Sequence, residues 1–404
     1  METGPIIRAL LRNKLGAILI AAQIAFTMTV IINAVFIINE RSRLMARPSG
    51  LDEANIFHVV GIGYGDGYSE ELALSDDLQM LRQLPGVQSA STINAIPVSG
   101  GGSSTGIRTV DDPDSASTGT AIYRADERIF DTLGLNLVAG EVFTEQDMRY
   151  RDEPGETVAD KTVISAHLAG ELYPDLALND VVGQTAYLPG GVPIQIVGII
   201  ERLQAPWPNS SFVESSMIVP EIYLDTFTRY IVRTEPGMRD QLMIEAEELL
   251  ASRPVDRVIR DMESLEQTRE SSYRIDSAMS TILWTVIITL VFINSMGIVG
   301  LAVFSINRRR KQIGTRRALG ATKPAILRYF MLENLFITAI GVGIGAVLSI
   351  ALSIVLTTQF NMPTMAWYYT PIGALALLFM GQLAALGPSS RAAGVEPAIA
   401  TRSV

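Results

Sequence analysis

Few residues of this 404-residue chain are of the types and spacings that catalysis or metal binding requires. His58 and His167 are its two histidines. Neither has a second metal-ligand residue at a useful spacing, so each is interpreted as a scaffold residue. The chain has no cysteine, which excludes disulfides, thiolate metal sites and cysteine nucleophiles. Acidic pairs such as Glu247 and Glu248 fall on predicted helix surfaces, where solvated carboxylates are commoner than acid/base catalysts. The sequence does not support a hydrolase.

Nucleotide-binding patterns are also missing from the sequence. No phosphate-binding loop of the form G-x-x-x-x-G-K-[ST] occurs. Residues 61–67 read GIGYGDG and fail the dinucleotide pattern, because Asp66 takes the position of the last glycine. A flexible glycine turn is the interpretation. We therefore expect this chain to bind no cofactor or metal itself and not to be an enzyme.

The segment most suited to binding another protein is the basic stretch 307–328, NRRRKQIGTRRALGATKPAILR. It holds eight Lys or Arg and no acid, and it lies between two long apolar segments. Short loops rich in Lys and Arg face the cytoplasm in membrane proteins. Ile313 and Leu319 are interleaved with the cations, and Gly314 and Gly320 interrupt them. This pattern predicts a short amphipathic helix that offers a mixed apolar and cationic face to a partner, although any inner loop is rich in cations.

The charges of the chain are divided between two regions of opposite sign. Residues 40–276 carry 19 Lys or Arg and 39 Asp or Glu, a net charge of −20, whereas the remaining residues carry +10. This division predicts an acidic domain outside the membrane and basic loops inside it, and it argues against nucleic acid as a partner. The acidic region is also long enough to bury a core without disulfides.

Four apolar segments are long enough to cross a bilayer, because a helix rises about 1.5 Å per residue and the hydrocarbon core is roughly 30 Å thick. The first is interpreted as an uncleaved span, since its apolar run exceeds that of a signal peptide. Both termini are expected in the cytoplasm. The predicted spans are residues 15–38, 277–306, 329–358 and 372–388. The predicted connections are a cytoplasmic amphipathic helix at 1–14, a cytoplasmic loop at 307–328, an outer loop at 359–371 and a cytoplasmic tail at 389–404.

The acidic region, 39–276, predicts an α+β domain of two lobes, because strand-like runs alternate with amphipathic helices in a β-α-β-β layout. The second lobe, about 130–226, is expected to interrupt the first. The predicted ranges of the first lobe are about 55–129 and 227–261.

A helical pattern from Met262 continues without proline to Asn307. At about 1.5 Å per residue, one uninterrupted helix over this range would be roughly 70 Å long, so about half of it should stand outside the bilayer. We therefore predict a stalk formed by residues 39–47 and 262–276.

Three other positions are candidates for specific interactions. Glu333 is the one acid within the predicted spans, where a charged group is costly to bury, so it is a functional candidate. It lies close to Arg328, which favours a local ion pair or a helix-orienting role over a proton relay. Trp207, between two prolines, is a candidate contact for a ligand or partner outside the membrane, and a plain surface loop is the alternative.

Residues 308–334 (RRRKQIGTRRALGATKPAILRYFMLEN) resemble the signature that follows the second span in FtsX/MacB-type permeases of ABC transporters. That signature is R-x-x-E-I-G-x-R-[RK]-A-L-G-A, with an acid early in the third helix. Here Gln312 replaces the family's Glu, and Glu333 is the acid. Residues 388–400 are similar to the family's terminal P-x-x-R-A-A-x-x-x-P-x-x-A, and residues 130–147 resemble the MacB-type periplasmic domain. The resemblance covers essentially the whole chain.

The resemblance implies four transmembrane helices and a large α+β extracytoplasmic domain of the MacB-like porter and sabre type on a helical stalk. It implies a permease that acts by mechanotransmission: ATP hydrolysis by an ATPase subunit, which holds the ATP and Mg²⁺, drives a periplasmic change. The change would export a substrate such as a peptide, an antibiotic or a lipid-linked molecule. Because 14 residues precede the first predicted span, the ATPase is expected on a separate chain.

The family's loop after the second span is its coupling element, which places the ATPase contact on the basic segment of this chain. A second permease copy, identical or related, and a periplasmic adaptor are further implied partners, in the bacterial inner membrane. An FtsX-like signalling scaffold that activates a periplasmic partner without transport is the alternative. A secondary carrier is disfavoured, since it needs broken, polar membrane helices. The predicted ATPase-coupling residues are Arg309, Arg310, Lys311, Gln312, Ile313, Gly314, Arg316, Arg317, Ala318, Leu319, Gly320 and Ala321.

Overall fold

The computed structural model describes residues 14–151, 158–360 and 362–395. The helix predicted at 1–14 and the last part of the predicted tail therefore lie outside the described residues, apart from Lys14. The chain divides into two compact units, which are described separately. The helical unit comprises Met1–Arg43 and Asp276–Val404, and the α/β unit comprises Leu44–Ile275.

The helical unit consists mainly of long apolar helices. Helices and strands are numbered in chain order. Four of its helices are long and apolar enough to cross a membrane, in agreement with the four predicted spans. The described residues of this unit also form a short helix, α9, between the second and third spans. The helices are α1 (Lys14–Met45), α8 (Arg274–Arg308), α9 (Arg310–Ala318), α10 (Lys323–Phe360) and α11 (Tyr369–Ala393).

Close approach of α1 and α10 depends on two glycines. A Cβ atom added at Gly341 would lie 2.8 Å from the carbonyl oxygen of Ala21, and one added at Gly345 would lie 2.9 Å from that of Ala25. The spacing G-x-x-x-G thus lets the two backbones touch, as small residues do in membrane helix pairs. Gly343, on another side of α10, has no atom within 4 Å of such a Cβ.

The smaller sheet of the α/β unit has four antiparallel strands in the order β13-β1-β12-β2. Helix α2 begins at an N-cap, where the Ser69 hydroxyl accepts a hydrogen bond from the Leu72 amide. Leu74, Leu78 and Leu81 of α2 are buried against the sheet. The elements are β1 (Ile56–Gly63), α2 (Glu70–Gln83), β2 (Val87–Thr92), β12 (Phe227–Thr234), α6 (Arg239–Ala251) and β13 (Arg257–Ser264).

The larger sheet has the order β3-β4-β10-β7-β9-β5, with β8 added beside β9. Strand β9 reads VPIQIVGII and is buried over its last five residues, as expected of a strand with both faces covered. The strands are β3 (Ser104–Ile107), β4 (Thr118–Arg124), β5 (Leu137–Gly140), β7 (Lys161–Ser165), β8 (Thr185–Leu188), β9 (Val192–Ile200) and β10 (Ser216–Val219). The short helices are α3 (Ile129–Leu133), α4 (Ala166–Leu172) and α5 (Leu178–Val181), and a separate pair joins β6 (Arg149–Arg151) to β11 (Glu221–Tyr223).

The change from one sheet to the other comes earlier than the predicted lobe boundary at residue 130. Strands β3 and β4 already belong to the larger sheet, because β4 pairs with β10 and β3 pairs with β4. The pairing partner of β4 lies about ninety residues further along the chain, so local sequence pattern could not locate this boundary.

The prediction of one helix from Met262 to Asn307 is wrong at its start. Met262 to Ser264 belong instead to the edge strand β13. This strand has no clear alternation of apolar and polar residues, because most of its residues are charged or half-exposed. Ser264 then caps α7 (Leu265–Ser272) in a capping box with Gln267. Tyr273 leaves the helical conformation, with φ −94° and ψ 7°, before α8 begins at Arg274. Two helices therefore replace the predicted single one.

Candidate coupling site

The basic segment folds as a short helix, α9, bounded by turns on both sides. Its C-terminus is a Schellman motif: the Ala321 amide donates to the Arg316 carbonyl (3.0 Å) and the Gly320 amide donates to the Arg317 carbonyl (3.1 Å). Gly320 has φ +98°, a left-handed conformation that favours glycine. These hydrogen bonds define the end of α9 and hold the turn that contains Leu319.

One face of α9 is held inside the helical unit. The Ile313 side chain belongs to a core cluster with Ile306 of α8, Phe330 of α10 and Ala392 of α11, and Ile313 is 5 % exposed. Gly314 beside it is also buried. Ile313 was predicted to bind the ATPase; its burial is at odds with direct contact and makes it the anchor of α9 instead. In the sequence, the cations around Ile313 suggested an exposed position. The side chains of the neighbouring helices that bury it could not be known from the sequence.

The opposite face of α9 is cationic and open to solvent. Leu319, just past the helix end, is 83 % exposed, which is unusual for a leucine that is not in contact with lipid or protein. The predicted coupling residues Gly320 and Ala321 belong to the same terminal turn, with Gly320 exposed and Ala321 half-buried. The other exposed members of the predicted set are Arg310, Lys311, Gln312, Arg316 and Ala318.

Two arginines tie the ends of α9 to helix α10. Arg309, before the helix, donates to the Glu333 carboxylate at 2.9 Å, and this carboxylate is 9 % exposed. At the other end, the Arg316 guanidinium lies over the Tyr329 ring, 5.2 Å from its centroid. Arg317 is half-buried and donates to the carbonyl oxygen of Ala321 at 3.3 Å. Glu333 is thus joined to the basic segment by its ion pair with Arg309.

Beside Glu333 the four long helices leave a cleft. Its walls are mainly apolar, including Leu301 and Phe330, with Ser305, Asn334 and Ser389 as polar members. No group of three or more carboxylate, histidine or cysteine residues that could hold a metal is found within the described parts of the chain.

The remaining predicted positions do not belong to this site. Arg328 is exposed on α10. Trp207 lies in the α/β unit and is half-buried, with its ring edge-to-face against Phe212 at 6.0 Å. Sequence reasoning missed Tyr329, Phe330 and Ala392 as supports of α9. Ala392 is more than seventy residues from α9 in the chain, so only the folded arrangement of α11 reveals it.

Two family models match this chain, one over its first part and one over its last part. Residues 17–260 match the family model of the MacB-like periplasmic core domain. The chain belongs to the family of MacB-like permeases. Residues 284–397 match the FtsX-like permease C-terminal model, so the segment that contains α9 lies in the permease part of this family. The α/β unit is accordingly the extracytoplasmic domain of an ABC transporter permease.

Curated relatives agree with this assignment. The chain is 24 % identical to the macrolide export ATP-binding/permease protein MacB of Neisseria meningitidis over 97 % of its own length and 59 % of that protein. For MacB of Escherichia coli strain K12 the identity is 24 %, over 96 % of this chain and 58 % of the relative. The chain therefore spans about three fifths of the length of these curated relatives.

Among solved structures, the periplasmic region of MacB from Actinobacillus actinomycetemcomitans aligns with a TM-score of 0.33 and 14 % identity, covering 57 % of this chain and 97 % of that one. The extracellular domain of the noncanonic ABC-type transporter YknZ from Gram-positive bacteria aligns with a TM-score of 0.33 and 16 % identity, covering 51 % and 100 %.

Proposed function

We propose that this MacB-like permease passes the energy of ATP hydrolysis from an ABC ATPase, bound at α9, to its extracytoplasmic domain. The exposed face of α9 carries the proposal, because it combines exposed cations with the exposed apolar side chain of Leu319. Apolar anchors surrounded by charges are typical of protein interfaces. The buried face of α9 contacts α8, α10 and α11 together, so a push on this helix would reach three of the four long helices.

The further parts of the proposal concern partners and location. The ATPase is proposed to be a separate subunit that holds ATP and Mg²⁺, and two permease copies are proposed to form the working unit in the bacterial inner membrane. The basic segment and both termini are proposed to lie on the cytoplasmic side, which the eight cations of this segment support. The curated relatives are named as macrolide exporters; an antibiotic, a peptide or a lipid-linked molecule is the proposed class of cargo here.

Co-purification of the ATPase tests this proposal. The double variant Arg316→Glu/Leu319→Asp reverses a charge and removes the apolar contact on the exposed face of α9. It gives up the contact of Arg316 with the Tyr329 ring, but it leaves the buried Ile313 and the pair between Arg309 and Glu333 in place, and these should keep the helix folded. We expect the ATPase to co-purify with the unmodified permease and to be lost from this variant.

Lys323→Glu is the matched control, because Lys323 is an exposed cation on the same segment but lies beyond α9, at the first turn of α10. The control should retain the ATPase. An unchanged complex in the double variant would refute α9 as the binding site. Recruitment of an extracytoplasmic partner in response to ATP, with no cargo exported, would replace export with the signalling function.

A further inference from the structure

The chain passes between its two units at two places, after Arg43 and after Ile275. In the α/β unit the first crossing is followed by the last residues of α1, which ends at Met45. The second is preceded by α7, and Tyr273 interrupts the helix between α7 and α8. Because Tyr273 interrupts the helix, the side-chain contacts of α7 and Tyr273 within the α/β unit determine what holds the residues next to these crossings.

Arg269 of α7 makes such contacts. Its guanidinium donates to the carbonyl oxygen of Met45 at 2.8 Å and to that of Arg47, and it forms an ion pair with Glu53 at 2.6 Å. The Arg269 side chain is 18 % exposed. One residue of α7 therefore holds the segment that leaves α1 by three bonds.

Tyr273 completes this arrangement. Its hydroxyl donates to the carbonyl oxygen of Leu44 at 3.1 Å, and its ring lies 5.5 Å from the Arg269 guanidinium carbon. The last carbonyl groups of a helix have no partner within the helix, and a cation is favourable there because of the helix dipole. Arg269 and Tyr273 supply these missing donors to the end of α1. We call Arg269, Tyr273, Leu44, Met45 and Glu53 the clasp.

Ser272, the residue before Tyr273, forms a hydrogen bond to a strained turn at Val98. The Ser272 hydroxyl donates to the Val98 carbonyl oxygen, and Val98 has φ +59°, a conformation that a β-branched residue rarely adopts. The amide of Val98 donates to the carbonyl oxygen of Ala205 at 3.4 Å, and the amide of Gly100 donates to the carbonyl oxygen of Pro206 at 2.8 Å. Strained residues of this kind persist only where surrounding contacts hold them. The clasp thus continues through Ser272 to the two loops at 98–100 and 205–206.

We propose that Arg269 is the positioning residue that couples both membrane helices flanking the α/β unit, α1 and α8, to its sheets. The proposal rests on the proposed function in one respect only, namely that the signal travels from the ATPase to the α/β unit. The clasp fixes the end of α1 to the start of α8 through α7, and Ser272 relays any displacement of α7 to the loop at Val98. In the helical unit, the ion pair between Arg41 of α1 and Asp276 of α8 holds the same two helices together on the other side of the crossings.

The absence of cysteine from the sequence allows a direct test on the full chain. Spin labels are attached at Leu72→Cys and Trp367→Cys, whose native residues are 65 % and 82 % exposed in the two units. Labelled protein is diluted with unlabelled protein in lipid nanodiscs, so that distances within one chain dominate. We expect Arg269→Ala to broaden the distance distribution and Arg269→Lys, which keeps the charge but loses the forked geometry, to broaden it less.

Arg239→Ala is the matched control. The Arg239 side chain is 17 % exposed, forms an ion pair of 2.6 Å with Glu266 and donates to the carbonyl oxygen of Ala54 at 2.9 Å, but it has no bond to the end of α1. The distance distribution of Arg239→Ala should match that of the unmodified chain. Equal widths for Arg269→Ala and the unmodified chain would overturn the proposal, as would equal broadening by Arg239→Ala. If Arg269→Ala fails to fold, Arg269→Lys and Glu53→Gln decide by the same criterion.

A second measurement adds the ATPase that co-purifies with the chain and compares spectra with and without ATP. Arg269→Ala should retain the ATPase, because α9 is intact, and should lose the ATP-dependent shift in distance. A full shift in this variant would contradict coupling through the clasp. If the unmodified chain itself shows no shift, the proposed function fails, whereas the widths measured without ATPase still decide whether the clasp exists.

Discussion

At the scale of single residues, two buried titratable groups of the α/β unit respond to pH in opposite directions. Burial lowers the pKa of His58 to about 4 from 6.5, with the nearby Arg229 adding to this effect and Asp261 opposing it. Its Nε2 lies 2.8 Å from the Thr268 hydroxyl, whose own proton is directed to the carbonyl of Ser264. The fold therefore favours the neutral imidazole.

Asp126 shows the reverse effect. Burial raises the pKa of this carboxyl group to about 6 from 3.8, although hydrogen bonds from Ser91 and the charge of Arg82 oppose the change. Ser91 donates to it at 2.5 Å and Arg82 at 2.9 Å. Here the protonated form is favoured by folding.

These two shifts act in opposite directions on the pH dependence of stability, so removal of either group should leave the effect of the other uncompensated. The contribution of His58 is fully present above pH 6.5 and is lost as the pH falls toward 4, whereas that of Asp126 is fully present below pH 3.8 and is lost as the pH rises through 6. Each amounts to ~3 kcal/mol over its range. Between about pH 4 and 6 they largely cancel.

We expect His58→Gln to become more stable as the pH falls through this range and Asp126→Asn to become less stable. Guanidinium unfolding of the full chain in detergent, followed by hydrogen exchange of the β1 and β12 amides, measures both slopes. Both effects should be absent from the double variant, so its slope should match that of the unmodified chain. Identical slopes in all four proteins would show that neither group titrates differently in the folded and unfolded states.

At the scale of elements, the pair formed by α1 and α10 depends on the two glycines at their contact. Substitution of Gly345 by Val places atoms within 2.9 Å of the backbone of α1, so the helices must separate. Separation loses van der Waals contact along the helix pair, and the hydrogen bond from the Asn33 amide group to the Ser349 carbonyl oxygen, 3.2 Å long, should be lost with it.

Gly345→Val should therefore lower the thermal unfolding midpoint of the full chain in detergent by several degrees. Gly343→Val is the control, since no atom lies within 4 Å of its Cβ position. We expect the control to melt like the unmodified chain. Equal melting of the two variants would mean that α1 and α10 do not pack at this glycine pair.

The elements also show what a single sequence can and cannot predict. The four long helices and α2 follow from apolar runs and spacing, because these signals are local. Strand β13 was missed because an edge strand of charged and half-exposed residues has no alternating apolar pattern. The capping box of Ser264 and Gln267 was the local signal for a new helix start at Leu265. The break at Tyr273 carries no such signal, since its side chain is held by contacts with residues some two hundred positions away.

The candidate site was predictable to a similar extent. The charge and glycine pattern of the basic segment predicted a short helix, and α9 is one. Which of its residues face inward was not predictable, since Ile313 is buried by side chains from three other helices. The partner of Glu333 could not be chosen from the sequence either, because several cations lie within a few turns of it and only the fold brings Arg309 to 2.9 Å.

At the scale of the whole molecule, the division of charge matches the division into units. The acidic region 40–276 corresponds closely to the α/β unit, and the cations of the remaining residues concentrate around α9. Because Lys- and Arg-rich loops resist translocation, this division agrees with the proposal that α9 lies on the opposite side of the membrane from the extracytoplasmic domain.

One measurement tests this account most directly. The permease–ATPase complex is reconstituted in nanodiscs with spin labels at Leu72→Cys and Trp367→Cys, and the distance is recorded with and without ATP. We predict that ATP shifts the distance in the unmodified complex and in the Lys323→Glu control, and that Arg316→Glu/Leu319→Asp abolishes the shift. A distance that ATP does not change, or a shift that persists when the exposed face of α9 is altered, would contradict the account.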